Sequence, residues 1–401
     1  MEKFNFDEVI DRRGTMACKL DAMRSLFGRA DLTPLWVADM DFAVCPAITA
    51  ALQQRVQHPI YSYTVAPDSY WQSIIDWQRE QNGFCFSREE LTYAPGIVRG
   101  IAYAVNYFTE RGDGIVIQEP VYHPFKHVIV SNHRRALVND LIPCDDTIYE
   151  MDFAGLEAIF KAERPKMLVL CNPHNPGGVI WRRETLQQFA HLCHQYGVLV
   201  LSDEIHGDLT MFGNRHNVFA MVSDEAAEIS VTFGAPSKTF NIAGVVSSWI
   251  VVKNPQLREG FYNWLSSNEF NEPMLFAAVA TEAAYTGGRE WLTQVKAYLE
   301  GNIDWVIDFC ARNIPAVKAI RPQAGYLVWL DCSGLGLEQK ALVDLFLAAG
   351  LALNDGTMFG RGGEAHMRLN VASPRQILEQ AFHSLNAQIE RVRGCLTMVL
   401  S

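Results

Sequence analysis

Four chemically capable side chains each follow a short apolar run of this chain. They are an aromatic ring at Tyr122, an amide at Asn175, a carboxylate at Asp203 and an amine at Lys238. Ligands of open α/β sheets bind outside the carboxyl ends of the strands, so we expect the four groups to meet at one sheet edge. A buried lysine is costly unless it is paired or chemically used. The stretch GAPSKTFNIAG therefore predicts a reactive amine at Lys238.

Two further features predict where anions bind. Gly96 follows Pro95 and precedes a helical stretch, and a glycine-led helix N-terminus offers free N–H groups and a positive dipole end to a phosphate. Arg368 lies in the apolar run MRLNV, and the guanidinium fork of a buried arginine fits a carboxylate in two contacts.

These parts together indicate one cofactor. Pyridoxal phosphate bound as a Schiff base needs a lysine, an acid beside its pyridinium nitrogen, a ring to stack on and a phosphate cradle. Lys238, Asp203, Tyr122 and the helix at Gly96 supply those groups, and Arg368 supplies a site for a substrate carboxylate. The sequence therefore predicts a pyridoxal-phosphate enzyme that acts on an amino acid.

The apolar runs that lead to these residues are continuous, which is typical of strands buried on both faces of a mostly parallel sheet. They are GIVIQEP (114–120), KMLVLCNP (166–173), VLVLSDEI (198–205), ISVTFGA (229–235) and SSWIVV (247–252). Helical patterns lie between them, among them SREEL with its Ser-x-x-Glu capping box and ETLQQFAHLCHQYG with one apolar face. The pattern predicts an α/β domain with helices on both sides of the sheet.

The pattern changes after about residue 280. A long amphipathic helix (REWLTQVKAYLEGNIDWVIDFCARN) is followed by the strand-like runs GYLVWLD and AHMRLNV, with a helix between them and another from about 374. We therefore predict a large α/β domain over 48–280 and a small α+β domain built from 1–47 and 281–401.

A series of motifs, in order along nearly the whole chain, resembles a known family. The stretches are FDEVIDRRGT, LWVADMDFAVCPAI, APG, EPVYHPF, CNPHNPGGVIW, SDEIHGDL, APSKTFNIAG, GYLVWLD and MRLNVASPR. They resemble the fold-type-I pyridoxal-phosphate enzymes of the class I/II aminotransferase superfamily, and within it the carbon–sulfur lyase branch of MalY/PatB-type cystathionine β-lyases. The resemblance implies a seven-stranded, mostly parallel sheet flanked by helices, plus a small α+β domain.

The resemblance also implies a role for each matching residue. Lys238, Asp203 and Tyr122 would be catalytic: Lys238 forms the Schiff base, Asp203 pairs with the pyridinium nitrogen, and Tyr122 stacks on the ring. The remaining cofactor contacts would be Asn175, His206, Ser237, the backbone of Gly96, Ile97 and Val98, and Tyr63 from a partner subunit. Arg368 would bind the substrate carboxylate, with Asn175 beside it.

The phosphate side departs from the wider superfamily. Many relatives carry a serine three residues before the lysine and an arginine eight after it, whereas this chain has Ala235 and Val246. Ser237 and Thr232 are the substitutes that the sequence offers.

Several structural interpretations compete with these roles. Tyr122 could pack in the core, Asp203 could cap a helix, Arg368 could form a structural ion pair and His206 could be a structural histidine. Asn175 also suits a turn, which is compatible with binding. Tyr61 lies two residues from Tyr63 and could take its place.

Three functions stay open at this point. The resemblance favours a β-lyase that converts cystathionine or other cysteine S-conjugates to a thiol, pyruvate and ammonia. An aminotransferase would use the same residues, and no residue in the sequence decides between the two by physics. A regulatory protein that keeps the fold is the third. The borrowed Tyr63 implies a homodimer with shared active sites.

Composition excludes other classes of partner. The 401 residues carry a net charge of −11 and no run of Lys or Arg, so we expect neither nucleic acid nor a membrane as a partner. Nine cysteines without a CxxC pair, and no apolar leader at MEKFNFDEVIDRRG, predict a cytoplasmic protein with reduced thiols. His191 and His194 have helical i,i+3 spacing, but without a third ligand they predict a solvated helix face and no metal.

Overall fold

The computed structural model describes residues 3–144 and 148–399, with side chains up to residue 392. The strands run in chain order as β1 (Thr33–Pro34), β2 (Leu91–Ala94), β3 (Gly114–Glu119), β4 (Arg135–Asp140), β5 (Ile142–Cys144), β6 (Ile148–Glu150), β7 (Met167–Cys171), β8 (Leu199–Asp203), β9 (Ser230–Gly234), β10 (Ser248–Val251), β11 (Lys318–Ile320), β12 (Leu327–Asp331), β13 (Leu351–Ala352), β14 (Asn354–Asp355) and β15 (His366–Asn370).

Helices surround these strands and connect most of them. They are α1 (Cys18–Asp21), α2 (Met23–Phe27), α3 (Pro46–Gln57), α4 (Asp68–Asn82), α5 (Ile97–Phe108), α6 (Pro124–Ser131), α7 (Phe153–Glu163), α8 (Arg183–Gln195), α9 (Asp224–Glu228), α10 (Pro236–Thr239), α11 (Pro255–Ser267), α12 (Leu275–Gly287), α13 (Arg289–Asn313), α14 (Gln339–Ala348) and α15 (Arg375–Val399). Short 3₁₀ turns lie at Arg88–Glu90, Phe219–Met221, Ala243–Val245, Ser333–Leu335 and Gly356–Phe359.

The central sheet has seven strands in the order β2-β10-β9-β8-β7-β3-β4. Strand β10 is antiparallel to both of its neighbours, and the other neighbouring pairs are parallel. The predicted mostly parallel seven-stranded α/β sheet is therefore confirmed. Strands β7, β8 and β9 are adjacent, so their carboxyl ends meet at one edge and carry Asn175, Asp203 and Lys238 together.

The continuous apolar runs formed buried strands because helices cover both faces of the sheet. One layer packs α5, α6 and α11 on one face, with Ile101, Phe125 and Phe261 fully buried there. On the other face α7 and α8 contribute Leu156, Phe160, Leu186 and Phe189 to a second core. A strand buried on both faces gains from apolar residues at every position, which removes the period-two alternation.

The capping box at SREEL forms as expected, but the helix that it was expected to open does not follow. Ser87 and Glu90 exchange the two capping hydrogen bonds around a single 3₁₀ turn, and Leu91 is already extended and begins β2. Pairing of β2 with β10 decides the backbone here, because strand hydrogen bonds and burial outweigh a local signal of about 1 kcal/mol.

A second sheet of four antiparallel strands, β11-β12-β15-β14, packs with α13, α14 and α15. It carries Arg368 in β15. The N-terminal segment joins this region through the parallel pair β1 and β13. The domain boundaries at 48 and 280 stay a prediction, since one large core includes residues from both proposed units.

None of the helices within the described ranges combines the length and apolar character that a membrane span needs.

Candidate active site

A cavity of ≈ 310 Å³ lies at the carboxyl edge of the central sheet. Nine of the residues predicted from the sequence line it: Gly96, Ile97, Val98, Tyr122, Asn175, Asp203, His206, Ser237 and Lys238. The start of α5 contributes the first three of these residues, and Tyr122 follows β3. The last five come from the turn after β7 and from the ends of β8 and β9 and the turns that follow them. The fold therefore brings these side chains together at one edge of the sheet, as the sequence predicts.

Lys238 lies in the short helix α10, two residues after Pro236 begins it. Its Nζ donates a hydrogen bond to the carbonyl of Ala38 at 2.5 Å. Burial lowers the pKa of Lys238 to about 8, although the nearby Asp39 carboxylate favours its charged form. A fraction of the amine is therefore unprotonated near neutral pH, as a nucleophile and base requires.

Asp203 ends β8 and is almost fully buried. Burial raises its pKa to about 7, against the opposing effect of the Ile205 N–H, which donates to Oδ1 at 3.1 Å. Within the described residues this carboxylate forms no ion pair. A buried acid without a cation is stabilised by any cationic N–H placed against it, and a pyridinium is such a group.

Arg368 is also buried without a counter-ion in the described part of the chain. Nη1 donates to Asn175 Oδ1 at 3.0 Å, and Nη2 donates to Asn354 Oδ1 at 2.6 Å and to the Trp36 carbonyl at 3.1 Å. Nε has no acceptor among the described residues, and burial lowers the pKa of Arg368 to about 10. The competing interpretation of a structural ion pair is wrong, because the acceptors are neutral amides and a carbonyl. A guanidinium held in this way can still bind an anion.

His206 and Tyr122 also line the cavity. Burial lowers the pKa of His206 to about 3, so its imidazole is neutral, and Nδ1 has no partner in the described chain. Tyr122 is half-buried and lines the cavity, with its ring edge-on to Phe125 at a centroid distance of 5.6 Å.

The helix N-terminus at α5 differs in one detail from the expectation. Gly96 has φ 102°, a conformation that favours glycine, and forms the N-cap of α5. Its N–H already donates to Ser248 Oγ at 3.1 Å and to the Ala94 carbonyl at 2.9 Å. The amides of Ile97 and Val98 are therefore better placed for a phosphate, because the first helical N–H groups lack intrahelical acceptors.

Ser237 and Thr232 are the two residues that the sequence offers in place of the missing phosphate ligands. Ser237 lines the cavity beside Lys238. Thr232 is fully buried within β9 and does not line the cavity, so it is not a substitute.

Two features of the site were missed by sequence reasoning. Arg99, in the first turn of α5, lines the cavity. The segment 36–41, which we call the site strap, contributes backbone carbonyls: Trp36 to Arg368 and Ala38 to Lys238 and to Tyr326 Oη (2.9 Å). The sequence does give an indication of Arg99, because this cation comes three residues after Gly96. Backbone carbonyls carry no residue-type signal.

Tyr63 does not enter the cavity of its own chain. It is fully exposed on the connection between α3 and α4. Its reach into a partner subunit's site therefore stays a prediction.

His191 and His194 lie exposed on α8 and contact two acids of α9. His191 Nδ1 is 3.0 Å from Glu225 Oε1, and His194 Nε2 is 3.3 Å from Glu228 Oε2. Over residues 3–144 and 148–399 no group of three or more His, Cys, Asp or Glu side chains has the geometry to hold a metal ion.

Comparison with known proteins identifies the family to which this arrangement belongs. The model of the family "Aminotransferase class I and II" matches residues 30–385. The cystathionine β-lyase PatB of Bacillus subtilis (strain 168) is 41% identical over 386 residues, which cover 96% of this chain and 100% of that protein.

Solved structures agree with this relationship. Cystalysin from Treponema denticola, which contains a pyridoxal 5′-phosphate cofactor, has a TM-score of 0.93 and 31% identity, with 98% of this chain and 100% of that chain covered. The C–S lyase from Staphylococcus hominis, solved with the same cofactor bound, has a TM-score of 0.89 and 31% identity, covering 97% and 98% of the two chains. The chain therefore belongs to the class I and II aminotransferase family and, within it, to the carbon–sulfur lyase branch typified by the cystathionine β-lyases.

Proposed function

We propose that this chain is a pyridoxal-phosphate-dependent β-lyase that cleaves cystathionine or other S-substituted cysteines to a thiol, pyruvate and ammonia. One observation carries the proposal: the Lys238 amine with its lowered pKa and the buried Asp203 carboxyl line one cavity, and the buried Arg368 donates to Asn175 in the wall of that cavity. Relatives that cover almost the whole chain are named as lyases of this type.

The residues fit the cofactor for reasons that do not depend on the relatives. Asp203 needs a cationic N–H to remain ionised when buried, and a pyridinium nitrogen supplies it. The unpartnered Nδ1 of His206 and the amides of Ile97 and Val98 offer hydrogen-bonding capacity at the cavity wall. Lys238 supplies the amine that would hold the cofactor covalently. When bound, pyridoxal phosphate supplies an electron sink for the α-carbon of an amino acid.

Arg368 would orient the substrate by its carboxylate. Its contacts to Asn175, Asn354 and Trp36 fix the guanidinium plane, so little side-chain freedom is lost on binding. A carboxylate would also supply the negative charge that this buried cation lacks. Asn175 therefore has a positioning role toward the substrate in addition to lining the cofactor site.

Lys238 would then move the proton that starts the elimination. Its free amine has a pKa of about 8, so it can accept the α-proton at neutral pH and hold it at Nζ. The hydrogen bond from Nζ to the Ala38 carbonyl gives the free amine a fixed resting position. The substrate loses its β-thiolate, and hydrolysis of the remainder gives pyruvate and ammonia.

The decisive experiment separates a lyase from an aminotransferase. Purified enzyme is given cystathionine with and without a keto-acid acceptor, and pyruvate and free thiol are measured. We expect pyruvate and thiol in equal amounts without an acceptor. Turnover that requires the acceptor, with the amino group recovered on it, would show an aminotransferase and contradict the proposal.

We also propose that the enzyme works as a homodimer. A run of exposed apolar side chains links the connection between α3 and α4 to the start of α12: Ile60, Tyr61, Tyr63, Val65, Met274 and Phe276. The rings of Tyr61 and Phe276 pack at 5.7 Å. Contiguous exposed apolar surface of this kind marks a protein interface, and a second copy would bury it while supplying Tyr63 to the neighbouring site.

A mixing experiment tests the shared site. Lys238→Ala and Tyr63→Ala are each purified as homodimers and then exchanged with one another. If Tyr63 acts in the partner's site, the mixed dimer contains one intact site and regains activity that neither parent has. A mixture of Lys238→Ala with Tyr61→Ala serves as the matched control. Light scattering that finds a fully active monomer would contradict the dimer.

A further inference from the structure

Arg99 is a cation at the cavity wall that the mechanism above does not use. It occupies the third position of α5, directly after Ile97 and Val98, and it lines the same cavity as both. Among the described residues that line that cavity, Arg99 is the one that stays cationic throughout the physiological pH range, since His206 is neutral and the pKa of Lys238 is lowered to about 8.

The guanidinium of Arg99 is not used by the protein itself. It is exposed, and its Nη1 donates a hydrogen bond to the Pro95 carbonyl at 3.2 Å. No acid within the described chain lies within ion-pair distance of it. An arginine that neutralises no carboxylate, at the mouth of a cavity with free helix N–H groups, retains its capacity for an anion.

Arg99 also lies near Val246, the position at which many members of the wider superfamily carry a phosphate-binding arginine. Tyr93 Oη donates to the Val246 carbonyl at 2.9 Å. Burial raises the pKa of Tyr93 to about 12, and the charge of Arg99 is the next largest influence, which lowers it. Val246 and Arg99 both line the cavity, and both act on Tyr93, so Arg99 brings a positive charge to the cavity in which many members of the wider superfamily carry an arginine at the position of Val246.

We propose that Arg99 neutralises the cofactor phosphate and so takes the place of the arginine that many members of the superfamily carry at the position of Val246. The inference rests on the proposed function. A helix N-terminus contributes the equivalent of only about half a positive charge, whereas a phosphate monoester carries between about 1.5 and 2 negative charges at pH 7. One guanidinium therefore accounts for most of the remaining charge and adds charge-assisted hydrogen bonds to those of Ile97 and Val98.

The test compares two probes that differ only in the phosphate. Full-length enzyme is freed of cofactor and titrated with pyridoxal phosphate and, separately, with pyridoxal. For Arg99→Gln we expect the dissociation constant for pyridoxal phosphate to rise about ten- to a hundredfold, the range of a lost charged hydrogen bond. The affinity of this variant for pyridoxal should stay within about twofold of wild type. Pyridoxal has no phosphate for Arg99 to bind, so no charged hydrogen bond is lost and the ring contacts remain.

Rescue and control variants sharpen the result. Arg99→Gln combined with Val246→Arg should recover pyridoxal phosphate affinity if charge at this end of the cavity is what matters. Arg111→Gln removes an exposed arginine just beyond the other end of α5 and should bind both probes as wild type does. Binding of pyridoxal phosphate should weaken with added salt more steeply in wild type than in Arg99→Gln.

The outcomes separate this inference from the proposed function. Unchanged affinity of Arg99→Gln for pyridoxal phosphate, or an equal loss for both probes, would overturn the role of Arg99. If wild type itself bound no pyridoxal phosphate at Lys238, as judged by borohydride labelling, the proposed function would fail and this inference with it.

Discussion

The amine of Lys238 is bound to the backbone carbonyl of Ala38 at 2.5 Å, across 200 residues of sequence. The same carbonyl accepts from Tyr326 Oη, and two residues earlier Trp36 accepts from Arg368. The site strap thus connects Lys238 to Arg368. Asn370 fixes the strap from the small sheet, with Nδ2 donating to the carbonyls of Val37 and Asp39 at 2.5 and 2.6 Å.

Asn370→Ala should loosen the strap and weaken substrate binding. Two carbonyls lose their donor, so we expect the free energy of unfolding to fall by about 1–3 kcal/mol. We also expect KM to rise and kcat to fall, because the strap supports both Arg368 and Lys238. Urea denaturation and steady-state kinetics measure the two effects. Asn386→Ala, at a half-buried position of α15 away from the strap, is a matched control, and equal effects of the two variants would contradict the role of the strap.

Lys238 should react as an amine with a pKa near 8. The rate at which cofactor-free enzyme captures pyridoxal phosphate should rise with pH and reach half of its limit near pH 8, since the unprotonated amine attacks. Asp39→Asn removes an anion that favours the ammonium form, so its half-point should move to lower pH. Stopped-flow absorbance measures both profiles. A half-point near 10.5 in wild type, the value of an ordinary lysine, would refute the effect of burial.

Asp203→Asn should stabilise the cofactor-free protein while disabling the enzyme. Because burial raises the pKa of Asp203 to about 7, the folded chain holds a proton between about pH 4 and 7 that the unfolded chain has lost. The free energy of unfolding therefore falls as pH rises through that window and stays low above it. The variant does not suffer this loss, so its free energy of unfolding should exceed that of wild type by up to about 4 kcal/mol at pH 8 and by almost nothing at pH 4.

Urea unfolding of both proteins at pH 4 and pH 8, without cofactor, measures that difference. Added pyridoxal phosphate should remove most of it for wild type, because the bound cation lowers the pKa of the acid. Asp331→Asn, in a half-exposed position at the end of β12, provides the comparison. A stability gain at pH 8 that is also present at pH 4 would point to a cause other than ionisation.

Arg368→Lys should weaken substrate binding even though the charge is kept. A lysine cannot reproduce the planar contacts to Asn175 and Asn354, so we expect KM to rise at least about tenfold. The cofactor affinity should change little, because Lys238, Asp203 and the amides of Ile97 and Val98 are untouched. Arg361→Lys, on an exposed arginine near the same sheet, should leave KM as in wild type. Kinetics with cystathionine decide between these results.

The central strands were predictable where they are buried on both faces. The runs that became β3, β7, β8, β9 and β10 are continuously apolar, and each was located within about two residues. Strands β2 and β4 were not located. LTYA is four residues long, and RALVND forms the edge of the sheet with polar residues at both ends, so neither carries a strong apolar pattern.

The sequence by itself determined which chemistry the chain carries. Residue types such as the amine of Lys238 and the carboxylate of Asp203, each placed after a buried run, were enough to predict the cofactor and the edge at which it binds. Parallel strands force their carboxyl ends together, so order along the chain became proximity in space.

Only the tertiary structure decided how those groups are held. The carbonyls of the site strap are chemically the same at every residue, so nothing in the sequence marked Ala38 as the acceptor for Lys238. The lowered pKa of Lys238 and the raised pKa of Asp203 come from burial, which is a property of the packed chain. The nearness of Arg99 to the cavity likewise depends on where α5 begins, and the fold sets that position.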